Sequence, residues 1–409
     1  MSPDYLGRAW PYTSDMNPNV SAAWWGTVVL FFTHGFIFGT WVSRIPAVQT
    51  ALRLNNGILG LTLLSSAAGA LCAIPVTGRL IDRLGSKKVT SASSVVFCFT
   101  LVLPGLAFNA PSLAAGLFVL GAIGAAMDVS MNAQGVEVEK ALGRPTMSRF
   151  HAMFSSGAMA GAGAGGWVAA RNIGLVPHFS ASALINLIAI VVILSSLLEA
   201  HPSTVQQHRL PFNKIPRVLV ALSAIGFCIL LSEGAMADWT AVYLRQSLHA
   251  GPGIAAEGYA VFSAAMALFR FLGDLITARL GPRRTVRTGS LVAATGLLWA
   301  LCMQVSVWAL PGFAVTGAGL SVIIPLVFGG GGKVESVNPG AGIATVTGIG
   351  YVGFIVGPPT IGFASQLVTL RYALGIVVAC CLAAAWFSRF MVSLDRTSAR
   401  PEPATELHV

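Results

Sequence analysis

Charge is what this chain has least of. Asp, Glu, Lys and Arg together make up 10% of its 409 residues, against 55% hydrophobic ones, where a soluble domain carries roughly a quarter charged residues. A surface that poor in charge needs lipid to cover it, which excludes a water-soluble globular protein. Cysteine is also scarce. All six (Cys72, Cys98, Cys228, Cys302, Cys380 and Cys381) fall inside apolar stretches. None has paired loop spacing or belongs to a Cys/His cluster, so a disulfide framework and a zinc site are both unexpected, and the thiols read as small core residues. The first twenty residues are polar and contain proline; they lack a charged-then-apolar leader with a small-residue cleavage site, so the first apolar helix is expected to stay in place. No Ser/His/Asp order or phosphate-cradling loop is found. The run Gly329 to Gly332 before Lys333 lacks the strand and spacing of a P-loop, so the chain does not read as an enzyme and no cofactor is expected. The net charge of +10 has no basic face interleaved with aromatics, which argues against nucleic acid as a partner.

What the chain does have is a series of long apolar runs. A membrane crossing takes about 20 mainly apolar residues at 1.5 Å rise each, and twelve such stretches start at Ala22, Gly57, Val89, Leu113, Phe150, Phe179, Val218, Gly258, Gly289, Trp308, Gly342 and Tyr372. A backbone in lipid must satisfy its own hydrogen bonds, and these stretches lack the alternation of barrel strands, so each is expected to be a helix. With both termini inside, nineteen of the 25 Lys and Arg lie on the inner side and five on the outer, with Arg270 within a span. That asymmetry predicts a cytoplasmic (inner) membrane protein with cytoplasmic termini. Trp24 and Trp25 fit an interfacial belt.

The longest polar connection, from His201 to Pro216, follows the sixth span and divides the chain. The expected units are a tail at 1–21, a six-helix bundle at 22–200, a central loop at 201–217, a second bundle at 218–393 and a tail at 394–409. The two halves repeat with an offset of 196: Gly85 matches Gly281, Arg83 matches Arg279, Gly121 matches Gly317, Gly157 matches Gly353, and Gly161 matches Gly357. Repeated six-helix halves around a midplane site are a transporter architecture.

The segment from Gly78 to Lys88, with Asp82, Arg83, Gly85, Lys87 and Lys88, resembles the signature loop between the second and third helices of the major facilitator superfamily. The resemblance implies an all-α membrane protein of twelve transmembrane helices in two pseudo-symmetric six-helix bundles, working by alternating access. It also implies a gating role for the loop, in which Asp82 contacts the other half in the outward-open state; physically, a carboxylate there suits the positive end of a helix. The second copy, Asp274 to Arg284, has Ala278 where Asp82 stands. Residues 121–132 and 150–157 are similar to the fucose/glucose:proton symporter branch, which implies a proton-coupling and substrate role for Asp128. That branch also uses an acid in its first helix, where this chain has only His34 as an ionisable group.

The residues themselves point to the same place. A charged side chain at a helix centre costs on the order of 2.5–3.5 kcal/mol on insertion scales, so Asp128 needs a reason to be there. Asn132 shares its face one turn on, while the repeat places the apolar Ile324 at the equivalent position. Glu233 is the second acid, expected near the outer end of its span, with Asp238 as a solvated outer-loop residue. His34 and His151 have an ordinary pKa of about 6.5, suited to a proton relay. Arg270 and Asp274, four apart, are expected to form a structural ion pair. Gly157, Gly161 and Gly165 repeat at the spacing that lets helices approach closely in lipid. Pro358, in Gly357-Pro358-Pro359, is expected to interrupt a helical ladder and bend the eleventh span. The expected partners are protons, a small-molecule solute and lipid, with the proton gradient as driving force and the monomer as functional unit. A sugar-like solute is favoured. An exporter of metabolites or drugs and a non-transporting receptor on the same fold are the alternatives.

Overall fold

In a computed structural model, residues 17–144, 146–199, 216–334 and 337–391 are described. The central loop and most of both tails lie outside them. Twelve long helical rods run through the described residues, and no strand occurs among them. They are α1 (Pro18–Ala51), α2 (Asn56–Leu84), α3 (Ser86–Leu106), α4 (Ala110–Leu142), α5 (Met147–Ala170), α6 (Leu175–Ser196), α7 (Arg217–Ser247), α8 (Pro252–Phe271), α9 (Pro282–Cys302), α10 (Ser306–Gly331), α11 (Pro339–Leu367) and α12 (Leu370–Met391). Eleven are long and apolar enough to cross a membrane. The exception is α5, which has the length but carries Arg149, His151, three serines and five glycines.

Several helices start earlier than their apolar runs, because polar first turns are held by caps. The Asn17 side chain accepts from the Asn19 amide and begins α1 at Pro18, so the first bundle starts before residue 22. Asn109 and Ser112 form a reciprocal capping box at α4. At α5, Glu139 Oε2 accepts from the Thr146 and Met147 amides at 2.7 and 3.0 Å.

The internal repeat is visible as geometry. Gly85 and Gly281 turn the chain between α2 and α3 and between α8 and α9 with φ of 82° and 78° and ψ near 155° in both, a region only glycine enters without strain. A Cβ on Gly121 of α4 would meet the Ser66 carbonyl of α2, and one on Gly317 of α10 the Phe262 carbonyl of α8, the same contact 196 residues on. Gly157 and Gly161 of α5 press on the Phe32 and Phe36 carbonyls of α1, Gly165 on Ser43, and Gly35 and Gly39 return the contact against Phe154 and Ala158. Small residues on both helices bring the backbones together. The α11 helix runs unbroken through Pro358 and Pro359, contrary to the expected interruption; Pro358 is buried and its carbonyl faces Gly60 of α2.

Between the halves, packing is carried by α5 against α8, α2 against α11, and α1 against α7 and α8. No comparable packing joins α4 to α10 or α11 among the described residues. The seam is therefore closed on three sides, with a gap in front of α4.

Candidate functional site

The polar side chains of the membrane interior converge on that seam. On α4, Asn132 Nδ2 donates to the Asp128 carbonyl at 2.8 Å and to Asp128 Oδ1 at 3.2 Å. The two share a face, and Asp128 is half-buried. Among the described residues no cation forms an ion pair with it. On α11, Tyr351, 37% exposed, lies within electrostatic reach of both Asp128 and Glu233.

Glu233 sits midway along α7, not near its end. Its Oε2 lies 3.9 Å from Arg270 Nη2, while Oε1 is buried without a hydrogen-bond partner. Arg270 is the hub. Its Nη1 donates to Ser155 Oγ of α5 at 2.7 Å and approaches the His151 carbonyl at 3.5 Å; its Nε donates to the Ser321 carbonyl at 3.3 Å. The Ser321 carbonyl is available because the residue four on is Pro325, which has no N–H to donate, where α10 steps between its two helical segments. Backbone freed in this way inside a membrane needs a donor, and the guanidinium supplies one.

The expected Arg270–Asp274 pair does not form. The helix ends at Phe271, steps at Leu272, and resumes as a separate two-turn segment, Gly273–Leu280. The step removes the i,i+4 stacking, and Asp274 lies instead in the field of Arg149 on α5. Asp238 is likewise not a loop residue. It lies within α7, half-buried, where Tyr259 of α8 feels Glu233, Arg270 and Asp238 together.

His34 on α1 hydrogen-bonds the Gly124 backbone of α4, one turn before Asp128. Its ring lies among Phe97 and Phe154 at 5.0 and 5.4 Å, and its Nδ1 is buried without a partner. His151 stacks edge-on to Phe31 at 5.3 Å and interacts electrostatically with both Arg270 and His34. The structure thus gathers Asp128, Asn132, His34, His151 and Glu233 around one seam. It adds Arg270, Ser155, Tyr259, Tyr351 and Asp238, which the sequence pattern did not single out for that place. Two apolar grooves, about 380 and 510 Å³, lie elsewhere, on the α7/α11/α12 and α8/α9/α10 surfaces. Among the described residues no group of three or more His, Cys, Asp and Glu is placed to hold a metal ion.

The signature loop lies apart from this centre. Asp82 and Arg83 are exposed and Gly78 faces open space; among the described residues Asp82 makes no hydrogen bond or ion pair, so its expected contact with the other half is not made in this conformation. Lys87 reaches Glu199 at 3.4 Å. Below it, buried Gln134 of α4 donates to Ser86 Oγ at 2.7 Å and exchanges two bonds with the Leu198 backbone, tying the loop to the end of α6.

The sequence profile of the Major Facilitator Superfamily matches residues 23–330. An uncharacterised MFS-type transporter of Yersinia pestis is 36% identical over 352 residues, 86% of this chain and 91% of that one. Among solved structures, a bacterial homologue of the human lysosomal transporter Spinster, inward-facing and unoccupied, aligns with a TM-score of 0.73 at 15% identity, over 95% of this chain and all of the other. A variant of the E. coli fucose:proton symporter FucP aligns with a TM-score of 0.61 at 17% identity, over 90% and 97%. At these identities the two structures speak to the fold alone.

Proposed function

The chain belongs to the major facilitator superfamily, and from that premise we propose that this multi-pass transporter is a proton-coupled symporter of a small, polar, sugar-like solute, with Asp128 as its coupling site. The observation that carries the reading is the pairing state of the two central acids. Glu233 has a guanidinium beside it, whereas Asp128 has only the neutral amide of Asn132 and faces the gap before α4. A carboxylate without a counter-ion in a membrane is relieved by taking a proton. Protonation then favours whichever access state buries it, which is the elementary step of coupling.

The solute class follows from the donors and acceptors at the seam. A carboxylate, a carboxamide, a tyrosine hydroxyl, a serine hydroxyl and a guanidinium already held by Glu233 suit a neutral, hydroxyl-rich molecule that both donates and accepts. The name of the fucose:proton symporter among the structural neighbours is in keeping with this. His34 and His151 lie between Asp128 and Arg270 and are placed to pass a proton along the N-terminal half. In this reading the loop-bearing, basic face is cytoplasmic, in keeping with the positive-inside asymmetry, and the protein works in the inner membrane as a monomer.

The test is a transport screen in proteoliposomes under an imposed pH gradient, comparing wild type with Asp128→Asn across monosaccharides and small polar metabolites. Gradient-driven accumulation that disappears in the variant while solute counterflow persists supports the reading. Accumulation unchanged in Asp128→Asn removes Asp128 from coupling, and extrusion of solute against the proton flux makes the protein an exporter.

A further inference from the structure

At the end of the molecule opposite the basic loops, the two halves are joined by side-chain amides. Gln246, at the end of α7, accepts from Asn56 Nδ2 at 3.1 Å and donates from Nε2 to Gln49 Oε1 at 3.1 Å and to Asn56 Oδ1 at 3.0 Å. Gln49 Nε2 braces Asn56 from the same half at 2.8 Å. Beside them, Gln366 of α11 donates to Asn55 Oδ1 at 2.8 Å, and the same oxygen caps α2 through the Ile58 amide at 2.9 Å. Four hydrogen bonds thus cross between the halves, and none involves a charged group.

The backbone beneath is shaped for the contact. A Cβ on Gly60 would lie 2.7 Å from the Pro358 carbonyl, and one on Gly362 2.5 Å from the Asn56 carbonyl. So α2 and α11 touch along their backbones at this end. At the other end of the same two helices Gly78 and Gly348 meet nothing within 4 Å. The charged and titratable groups on the segments around the amides are Arg53, Arg245, His249, Glu257, Arg371 of α12, which interacts with Tyr243 one turn before Gln246, and, deeper in α7, Asp238. Among the described residues none of them hydrogen-bonds the amides.

We propose that Gln246 is the positioning residue that closes this end of the transporter, the centre of a charge-free latch that α7 and α11 must release from α1 and α2 in every cycle. A latch of neutral amides holds equally well at any pH and ionic strength at which the solute arrives, because amides neither titrate nor attract counter-ions. Its bonds are individually weak, since each exchanges with water on opening. The closed state is therefore held without being trapped. The contact itself holds no titrating group, so any pH dependence of closure at this end enters through the centre.

The decisive variant is Gln246→Glu, which replaces a two-hydrogen donor by a group with a solution pKa of about 4.3. Ionised, it sets a negative oxygen against Asn56 Oδ1 and Gln49 Oε1; protonated, it regains one donor. Spin labels on Arg53→Cys and His249→Cys, on opposite halves of this end, report its opening in a background whose native cysteines are replaced. At pH 8 the variant is expected to show at least about a tenfold larger open population than wild type, the loss of two hydrogen bonds, and that excess is expected to fall by about half at pH 4.5, where roughly 40% of a group with a solution pKa of about 4.3 is protonated and regains one donor. A label distance distribution indistinguishable from wild type at pH 8, or opening equally large at both pH values, overturns the proposal. Gln366→Ala, read the same way, is expected to open this end by a smaller factor at both pH values. No opening in either variant assigns closure to the glycine contacts alone. The readout uses neither solute nor proton gradient, so it stands or fails separately from the symport reading.

Discussion

The two halves of this transporter repeat each other at scaffold glycines and differ in what they place at the centre. Gly121 and Gly317 make the same backbone contact, and Gly85 and Gly281 the same turn. Yet the first half offers Asp128 with a neutral partner, while at that position the second has Ile324 and elsewhere supplies Glu233 with Arg270 beside it. Scaffold positions are constrained by close packing, which any exchange of side-chain volume disturbs. Central positions are constrained only by the chemistry of the passenger and of the proton, and so the copies diverged there.

The severest way to break this comparison is Arg270→Ala. Removing one member of a buried ion pair costs roughly 3–5 kcal/mol, and here the carbonyl of Ser321 and the hydroxyl of Ser155 lose their donor as well. Transport is expected to be abolished and the thermal midpoint in detergent to drop. Adding Glu233→Gln should recover part of the midpoint, since the orphaned acid is then neutral; no recovery would mean that Arg270 acts mainly through α5 and α10.

The scaffold symmetry is sharpened by Gly157→Ala and Gly353→Ala, equivalent positions against the Phe32 and Phe227 carbonyls. Overpacking costs about 1–3 kcal/mol, and the two variants should lower the midpoint by similar amounts. A large difference would show that the repeat is not mechanically symmetric.

A smaller effect is expected at the signature loop, where the copies differ by Asp82 against Ala278. In this conformation Asp82 is exposed and unpaired, so Asp82→Ala should leave stability within about 0.5 kcal/mol, as exposed substitutions do. If the carboxylate is the outward-state latch, transport should still slow several-fold. Equal transport would remove the loop from gating. The smallest effect belongs to Lys87→Ala, which removes an ion pair whose glutamate is three-quarters exposed; such pairs contribute roughly 0–1 kcal/mol.

Much of this arrangement was legible in the sequence because lipid is an unforgiving solvent. An acid at position 128 must be accounted for, and the charge asymmetry of the loops counts the helices independently of their apolarity. What escaped was whatever depends on where a helix stops. Arg270 and Asp274 have the spacing of a pair, and only the step at Leu272 separates them. Asp238 fell beyond a twenty-residue span, whereas α7 runs for 31 residues. Glu233 looked terminal for the same reason. The amide cluster was invisible in principle: Gln49, Asn56, Gln246 and Gln366 are spread over more than three hundred positions with no periodicity, and polar amides at loop edges are common in any membrane protein.

The low apolarity of α5 has a consequence for how the protein is made. A helix with five glycines, three serines, an arginine and a histidine partitions poorly into lipid by itself. By the time it leaves the ribosome, however, α1 is already in the bilayer, offering Gly35 and Gly39 to the carbonyls of Phe154 and Ala158. The α1 surface thus gives α5 the close backbone packing that lipid alone does not, so the stability of the fifth helix in the membrane depends on the first.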